Sequence, residues 1–320
     1  MSTTVGLDIA VILPCRNESA AIGGVVRDFR LALPDAAIYV YDNNSEDDTA
    51  AVAEAAGARV RREPMQGKGN VVRRAFADVE ADVYVMADGD GTYDASDASG
   101  LVAMLLDRQL DMVVGARANG APGAYRRGHR TGNLLFNKAV AWLFGDRFSD
   151  IFSGYRVLSR RFVKSFPALS GGFEIETELT VHAIQLRMPV AEVPTAYRGR
   201  PEGTASKLRT WRDGLRILFT IVRFIQRVRP LLFYGAIAVA LAVLSAALGY
   251  PVVVEFIATG LVPRLPTAVL AMGLMLSAII SFFSGLILDT VTRGRREMKR
   301  LHYLSIPSTR ARLDQIQRAE

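Results

Sequence analysis

Cysteine and histidine are scarce in this chain of 320 residues. The single cysteine, Cys15, excludes an internal disulfide bond and fits a reducing compartment. The three histidines, His129, His182 and His302, are scattered, and with one cysteine they form no zinc-binding pattern. The chemistry of the protein is therefore expected to depend on other side chains.

Several familiar signatures are missing as well. No Gly-x-x-x-x-Gly-Lys-Ser/Thr loop occurs, and no Gly-x-Gly-x-x-Gly follows the first predicted strand, so a dinucleotide oxidoreductase has little support. The net charge of +7 suggests anionic partners. No aromatic-basic nucleic-acid motif appears, so we expect no nucleic-acid partner. The first ten residues lack the basic start and apolar core of a signal peptide, and we expect the N-terminal part to stay in the cytoplasm.

Short apolar runs alternate with helical patterns in the first half of the chain. The run LDIAVILPC is typical of a strand buried on both faces, and AAIYVYD, ARVRRE, DVYVMAD and DMVVGAR are further strand candidates. A later helix, GFEIETELTVHAIQLRM, leads into the strand PVAEVPTAY, whereas the glycine- and arginine-rich stretch 118–160 is harder to assign. This order predicts an α/β fold with a mostly parallel sheet and helices on both faces. Ligands bind such sheets at the carboxyl ends of the strands.

Acidic side chains cluster at those predicted strand ends. Asp88-Gly89-Asp90 follows the strand VYVM, and two carboxylates flanking a glycine can point toward one Mg²⁺ or Mn²⁺ ion that also holds substrate phosphates. A polar turn is the alternative interpretation. Asp42 ends the second strand and could accept hydrogen bonds from a base or ribose, with a helix cap in this segment as the alternative.

Basic residues and glycines form possible anion sites. In QGKGN, Gly67 and Gly69 permit close backbone approach and Lys68 can reach an anion. Clustered guanidinium groups suit phosphate recognition, although contact with anionic lipid heads is an alternative. The stretches YRRGHR and RPEGTASKL contribute Arg126, Arg127, Arg130, Arg200, Ser206 and Lys207.

Two long uncharged segments follow. Residues 231–250 and 266–288 contain 20 and 23 residues without a charge, which is long enough to cross a bilayer. Basic residues precede the first segment and follow the second, so both ends are expected in the cytoplasm, with a short external loop. The stretch LRTWRDGLRILFTIVRFIQRV is interpreted as a helix on the membrane surface; an ordinary amphipathic helix packed on the soluble domain is the alternative.

Taken together, these stretches resemble glycosyltransferase family 2, specifically the polyprenyl-phosphate glycosyltransferases related to dolichyl-phosphate mannose synthase. The resemblance rests on LPCRNE, YDNNSEDDT, QGKGNVVR, ADGDGTYD, SDIFSGYRVLSRR, FEIETELTVHA and RPEGTASKL, in that order, and extends to the two apolar segments. It implies a GT-A fold and transfer of a sugar from a nucleotide sugar to a polyprenyl phosphate at the cytoplasmic leaflet.

The resemblance also implies roles for individual residues. Those expected to bind the nucleotide sugar are Pro14, Glu18, Asp42, Lys68, Asp88 and Arg117. Asp90, with Asp88, would bind Mg²⁺ or Mn²⁺, and Asp150, Asp90 and Arg156 would form the catalytic, sugar-side group. The expected phosphate and lipid-phosphate ligands are Arg126, Arg130, Arg200, Ser206 and Lys207.

The resemblance further implies an organisation and a reaction. We expect a GT-A catalytic domain in 1–206, a juxtamembrane helix region in 207–229, two membrane helices in 230–291 and a basic cytoplasmic tail in 292–320, with assembly into a homo-oligomer. The motif here continues Asp-Gly-Asp-Gly-Thr-Tyr-Asp where many relatives continue Asp-x-Asp-Leu-Gln, which weakens any transfer of sugar preference. UDP-glucose or a UDP-N-acetylhexosamine is the expected donor, with inversion at the anomeric carbon. GDP-mannose, and a non-catalytic nucleotide-binding scaffold, are the alternatives.

Overall fold

The computed structural model describes residues 6–117, 150–172, 174–197 and 228–319, together with Val222, Ile225 and Gln226. The chain divides into two compact units. The first comprises Met1–Lys207 and Lys299–Glu320, and the second comprises Leu208–Met298.

The first unit contains a seven-stranded sheet. Its strands are β1 (Ile9–Cys15), β2 (Ala37–Asp42), β3 (Arg59–Arg62), β4 (Val83–Met86), β5 (Met112–Arg117), β6 (Arg156–Ser159) and β7 (Val190–Thr195). They lie in the order β3-β2-β1-β4-β6-β5-β7. Among the described strands, β6 alone is antiparallel to its neighbours, β4 and β5, so the predicted mostly parallel sheet is confirmed. The reversed strand lies in the stretch whose sequence pattern was ambiguous.

Helices pack on both faces of this sheet, as predicted. They are α1 (Ser19–Ala32), α2 (Thr49–Ala55), α3 (Lys68–Asp78), α4 (Asp97–Asp107), α5 (Arg160–Ser165) and α6 (Ile175–Gln185). In β1, Val11 and Leu13 face the core under α1, α2 and α4, whereas Ala10 and Ile12 face the core under α3, α5 and α6. Alternate side chains of a strand point to opposite faces, which explains why the run LDIAVILPC is apolar throughout.

The end of the chain packs against the first unit instead of forming a separate tail. Helix α8 (Leu265–Ser305) belongs to this unit from Lys299 onward, and α9 (Thr309–Ala319) follows it. Tyr303 is buried in one core of the sheet and Leu313 in the other. The expected basic cytoplasmic tail, 292–320, therefore includes a segment, from Lys299 onward, whose apolar side chains complete the core of the first unit.

The second unit contains the two apolar helices. Helix α7 (Pro230–Thr259) begins with a proline in its first turn and ends at Gly260, whose φ of 71° is typical of a helix C-cap. The most apolar windows of α7 and α8 are only 11% and 17% buried. Core helices of a soluble protein would be mostly buried, so both helices are candidate membrane spans. Most of the predicted juxtamembrane helix, 207–229, lies outside the described residues.

Candidate active site

Three polar segments meet at one edge of the sheet because β2, β1 and β4 are adjacent there. Cys15 lies opposite Asp42 in the register of β1 and β2, and Ile12 lies opposite Met86 in the register of β1 and β4. Glu18, Asp42 and the Asp88–Asp90 turn therefore follow the carboxyl ends of neighbouring strands. This is the edge at which the sequence placed the ligand.

Lys68 bridges two carboxylates at this edge. Its ammonium contacts Asp88 Oδ1 and lies 2.6 Å from Glu176 Oε1 at the start of α6. The Lys68 and Glu176 side chains are 8% and 6% exposed, whereas Asp88 is 30% exposed. Burial alone would lower the pKa of Lys68, but the attraction of Asp88 and Glu176 outweighs it, and the pKa rises well above its usual value. The lysine is therefore a permanent cation, and Asp88 presents the open side of the group.

The residues after Asp88 form a tightly bonded turn. Asp90 Oδ1 accepts hydrogen bonds from the Thr92 backbone N–H and hydroxyl at 3.2 and 2.6 Å. Tyr93 accepts a 2.9 Å bond from the Gly154 N–H, and the Tyr155 hydroxyl donates to the Asp94 carbonyl. The Thr-Tyr-Asp continuation of the motif thus orients the Asp90 carboxylate and fastens the segment that precedes β6.

Glu18 lies behind the turn in a crowded, acidic position. Burial raises its pKa to about 8, and the charges of Asp90 and Asp88 add to this effect. Its Oε2 atom has no hydrogen-bond partner within the described parts of the chain. A Cβ atom on Gly89 would lie 2.5 Å from this oxygen and 2.3 Å from the Cys15 sulfur, so a larger residue at the centre of Asp-Gly-Asp would force Glu18 and Cys15 to move.

The donor set at this edge fits a magnesium-type ion. Asp88 and Asp90 offer carboxylate oxygens. Glu18, whose raised pKa favours its protonated form until a cation is near, adds a buried oxygen that has no partner among the described residues. Across the residues that the structure describes, no three acidic, histidine or cysteine side chains converge as a complete metal shell. Mg²⁺ usually takes one or two carboxylates and fills its remaining positions with water and substrate phosphates, so a partial shell suits an ion that arrives with a nucleotide.

The glycines of QGKGN are needed by the protein backbone itself. A Cβ atom on Gly67 would lie 2.1 Å from the Gly171 carbonyl oxygen, and one on Gly69 would lie 2.0 Å from that of Ser170. The Gly67 N–H also donates to Asn43 Oδ1 at 2.7 Å. In the structure the close approach at these glycines is made by the loop before α6, which holds the start of α3 and hence Lys68; approach to an anion stays a prediction.

Arg117 and Asp150 form a two-pronged ion pair beside this edge. Arg117, the last residue of β5, donates from Nε and Nη2 to the two carboxylate oxygens of Asp150, each at 2.7 Å. The backbone N–H of Arg117 donates to the same carboxylate at 3.2 Å. Asp150 is thereby held in one orientation, which suits a group that positions a ligand.

Arg156, which the resemblance placed in the sugar-side group, is buried beneath the segment that follows Asp150. Its side chain is completely buried, and it donates to the Ile151 and Ser153 carbonyl oxygens and to the Thr180 hydroxyl at 2.7, 3.0 and 2.9 Å. Burial lowers its pKa to about 10, partly offset by Glu176 and Asp150. A guanidinium committed to these partners holds the segment after Asp150, and this placement is inconsistent with direct contact between Arg156 and a sugar.

The remaining predicted residues divide into two groups. Pro14 and Asp42 are buried at the ends of β1 and β2, and Asp42 Oδ1 accepts a 3.3 Å bond from the Ser45 N–H. Their roles in nucleotide binding stay predictions. The predicted phosphate ligands lie outside the described residues: Arg126, Arg130, Arg200, Ser206 and Lys207.

Two residues of the site were not singled out from the sequence. Asn43 links the strand end to the Lys68 loop through Gly67 and also donates to the Glu63 and Met65 carbonyl oxygens. Glu176 was visible only as one of three alternating acids that open α6. Glu176 directly follows Ile175 and lies four residues before Thr180, and both of these residues are buried. This helical spacing is the sequence feature that could have indicated an inward-facing carboxylate.

Comparison with known proteins identifies related glycosyltransferases. The family model described as "Glycosyl transferase family 2" matches residues 10–166. "Glycosyltransferase AglJ" of Haloferax volcanii is 34% identical over 92% of this chain and 98% of its own length. The "Dolichyl-phosphate hexose transferase" of the same organism is 29% identical over 68% of this chain and 93% of its own length.

Among solved structures, glucosyl-3-phosphoglycerate synthase from Mycobacterium tuberculosis, in complex with Mn²⁺, UDP-glucose and phosphoglyceric acid, superposes with a TM-score of 0.56. It is 25% identical, and the match covers 68% of this chain and 80% of that one.

Proposed function

The chain belongs to glycosyltransferase family 2, and from this premise we propose that it transfers a sugar from a UDP-linked donor to a polyprenyl phosphate. The observation that carries the proposal is the presence of two features in the same chain. One chain holds a lysine-braced carboxylate group at the carboxyl edge of a GT-A sheet and two exposed apolar helices that are candidate membrane spans. The first feature suits a nucleotide diphosphate with its cation, and the second suits a lipid acceptor.

The proposed donor is UDP-glucose or a UDP-N-acetylhexosamine. The structural neighbour that contains Mn²⁺ and UDP-glucose supports a UDP-sugar and a divalent ion, although it acts on a different acceptor. Asp90, with Asp88 beside it, would hold Mg²⁺ or Mn²⁺, and the bound ion would neutralise part of the charge on the departing diphosphate. GDP-mannose is the competing donor.

The proposed acceptor is a lipid monophosphate such as undecaprenyl phosphate. The similarity to a dolichyl-phosphate hexose transferase supports this choice. A phosphate monoester has a second pKa of about 6, so at neutral pH it is mostly a dianion and needs no strong base to attack. An acceptor oxygen would bond to the anomeric carbon as the bond to the diphosphate breaks, which inverts the configuration.

The protein's own residues would then hold two anionic substrates together. Asp150, fixed by Arg117, is proposed to orient the sugar or the acceptor rather than to remove a proton. Arg200, Ser206 and Lys207, together with Arg126 and Arg130, are proposed to bind the phosphates. We further propose a multi-pass protein of the inner membrane with the catalytic unit and both termini in the cytoplasm, working as a homo-oligomer.

The test is a screen of radiolabelled sugar nucleotides with the full-length protein in detergent. UDP-glucose, UDP-N-acetylglucosamine, UDP-N-acetylgalactosamine and GDP-mannose are each offered with undecaprenyl phosphate, with and without Mn²⁺. Label from a UDP-sugar should enter the lipid phase only when the ion is present. Labelling only from GDP-mannose would show that GDP-mannose, and not a UDP-sugar, is the donor. A protein that is inactive under every condition would refute the proposal.

A further inference from the structure

Glu176 is linked to the proposed cation site through Lys68. It lies in the first turn of α6, and its Oε1 atom contacts the Lys68 ammonium at 2.6 Å. Its Oε2 atom has no hydrogen-bond partner among the residues that the structure describes. A buried carboxylate with an unpaired oxygen is costly, so a purely structural reason for keeping a glutamate here is weak.

Lys68 is closely packed between its two carboxylates. The backbone of Gly154 covers the group so closely that a Cβ atom there would lie 2.8 Å from Asp88 Oδ2 and 3.0 Å from Lys68 Nζ. On the other side, Gly67 and Gly69 are pressed against the loop of Ser170 and Gly171. The lysine charge is therefore shared between the half-buried Asp88 and the buried Glu176.

The sharing of the Lys68 charge determines how much negative charge Asp88 contributes to the proposed cation site. Lys68, Asp88 and Glu176 together carry a net charge of −1, with the Arg156 guanidinium close enough to Glu176 to attract it. Without the Glu176 charge, the lysine would neutralise Asp88 completely. Asp88 would then add little to the attraction of Asp90 for a cation.

We propose that Glu176 is a positioning residue that keeps the Asp88–Asp90 turn attractive to a divalent cation by balancing the charge of Lys68. This inference rests on the proposed function, since it concerns the ion that accompanies the nucleotide diphosphate. It assigns Glu176 a role exerted through Lys68, without contact with donor or ion.

Binding of Mn²⁺ alone to the full-length protein in detergent tests this, with free Mn²⁺ followed by electron paramagnetic resonance. Glu176→Gln keeps the size and an acceptor oxygen but removes the charge, and we expect Mn²⁺ to bind on the order of ten-fold more weakly. That is the scale for a unit charge about 10 Å from a divalent ion at a dielectric constant between those of water and protein. Lys68→Gln should bind Mn²⁺ more tightly by a similar factor.

The double variant separates charge balance from structural support. Lys68→Gln with Glu176→Gln restores the net charge of −1, so its Mn²⁺ affinity should return to within about three-fold of the unmodified protein. If Glu176 merely supported the local structure, the double variant would be at least as impaired as either single one. Glu174→Gln, which removes an exposed acid two residues away, is the matched control and should change nothing.

The outcomes also distinguish this inference from the proposed function. Equal Mn²⁺ affinity in Glu176→Gln and the unmodified protein, with binding lost in Asp90→Asn, overturns the inference and leaves the metal assignment standing. Binding that survives in Asp90→Asn overturns the metal assignment itself. Melting temperatures are measured for each variant, and should Glu176→Gln fail to fold, the Lys68→Gln and double variants carry the comparison.

Discussion

Two acidic clusters lie at opposite edges of the same sheet, and they differ in how completely their oxygens are paired. At the amino edge, Asp111 directly precedes β5 and accepts bonds from Arg161 at 2.5 and 2.8 Å, from the Ser159 hydroxyl at 2.7 Å and from the Tyr303 hydroxyl at 2.7 Å. At the carboxyl edge, Glu18 and Glu176 each keep a buried oxygen without a partner among the described residues.

The contrast separates structural acids from functional ones. Natural proteins pair nearly all buried polar atoms, so a saturated cluster such as that of Asp111 is explained by stability alone. The two buried oxygens at the carboxyl edge lack a partner among the described residues, so stability alone does not explain why acids are kept there. Substitutions at the two edges should therefore separate activity from stability.

The largest effect is expected for Asp90→Asn at the carboxyl edge. Asparagine can still accept the bonds from Thr92, but it removes a charge that the proposed cation needs, so sugar transfer should fall by at least about 100-fold. Stability should be unchanged or slightly higher, because a repulsion with Glu18 is relieved. Transfer assays and melting curves on the same preparation check both parts; full activity would remove Asp90 from the site.

The reverse pattern is expected for Asp111→Asn at the amino edge. Breaking a buried ion pair that Arg161 shares typically costs about 3–5 kcal/mol in the free energy of unfolding. The turnover of the protein that remains folded should be unchanged, because Asp111 precedes β5 while the site follows the strand ends. Denaturant titration measures the free energy of unfolding, and kinetics corrected for the folded fraction measure the turnover. A lowered turnover with normal stability would contradict the assignment of stability to the amino edge and activity to the carboxyl edge.

An effect of intermediate size is expected on the pH dependence of stability. It involves His182, which lies near the end of α6, whereas Glu176 lies at its start. Burial lowers its pKa to about 3, and the charge of Lys299 adds to this, so the folded protein keeps His182 neutral. Below the unfolded pKa of about 6.5 the unfolded state binds one more proton, and stability is lost as the pH falls from about 6.5 toward 3. Between pH 7 and 5 the loss is about 2 kcal/mol.

A His182→Phe variant provides the control for this pH dependence. Phenylalanine fits the contacts with Phe162 and Phe166 and does not titrate. The stability of the variant should fall less steeply between pH 7 and 5 than that of the unmodified protein. Parallel slopes in denaturant titrations at the two pH values would show that His182 makes no such contribution.

The smallest effect is expected for Tyr303→Phe near the end of α8. The change removes one of several hydrogen bonds to Asp111 and keeps the ring that packs against the Arg161 and Arg300 guanidinium groups. We expect a loss of about 1 kcal/mol in the free energy of unfolding and no change in sugar transfer. A large loss of transfer would mean that the amino edge is coupled to the site.

Much of the fold could be predicted from the sequence because the information is local. The apolar run before Cys15, the pattern of Ile22, Val25, Val26 and Phe29 in α1, and the two uncharged segments each depend on residues close together in the chain. Strand β6 was missed because its four residues, between a glycine-rich stretch and a short helix, are too few to show a hydrophobic period. Its direction is determined by pairing with β4 and β5, which are distant in the sequence.

The site was predictable in location but not in its contacts. Strand ends in a parallel sheet converge, so Glu18, Asp42 and Asp88 could be placed together from sequence alone. The same pattern could not show that Arg156 turns inward, since an arginine at a strand start is compatible with either face. The glycines of QGKGN were expected to let the backbone approach an anion; the structure shows that the distant loop of Ser170 and Gly171 packs against them.

The sequence by itself determined the α/β alternation, the acidic strand ends and the two apolar helices, because each follows from the composition and spacing of neighbouring residues. The tertiary structure alone decided that Lys68 stands between Asp88 and Glu176, and that Tyr303 saturates Asp111. The physical reason is that charge pairing acts through space over a few ångströms. Its partners come from segments that only the folded sheet brings together.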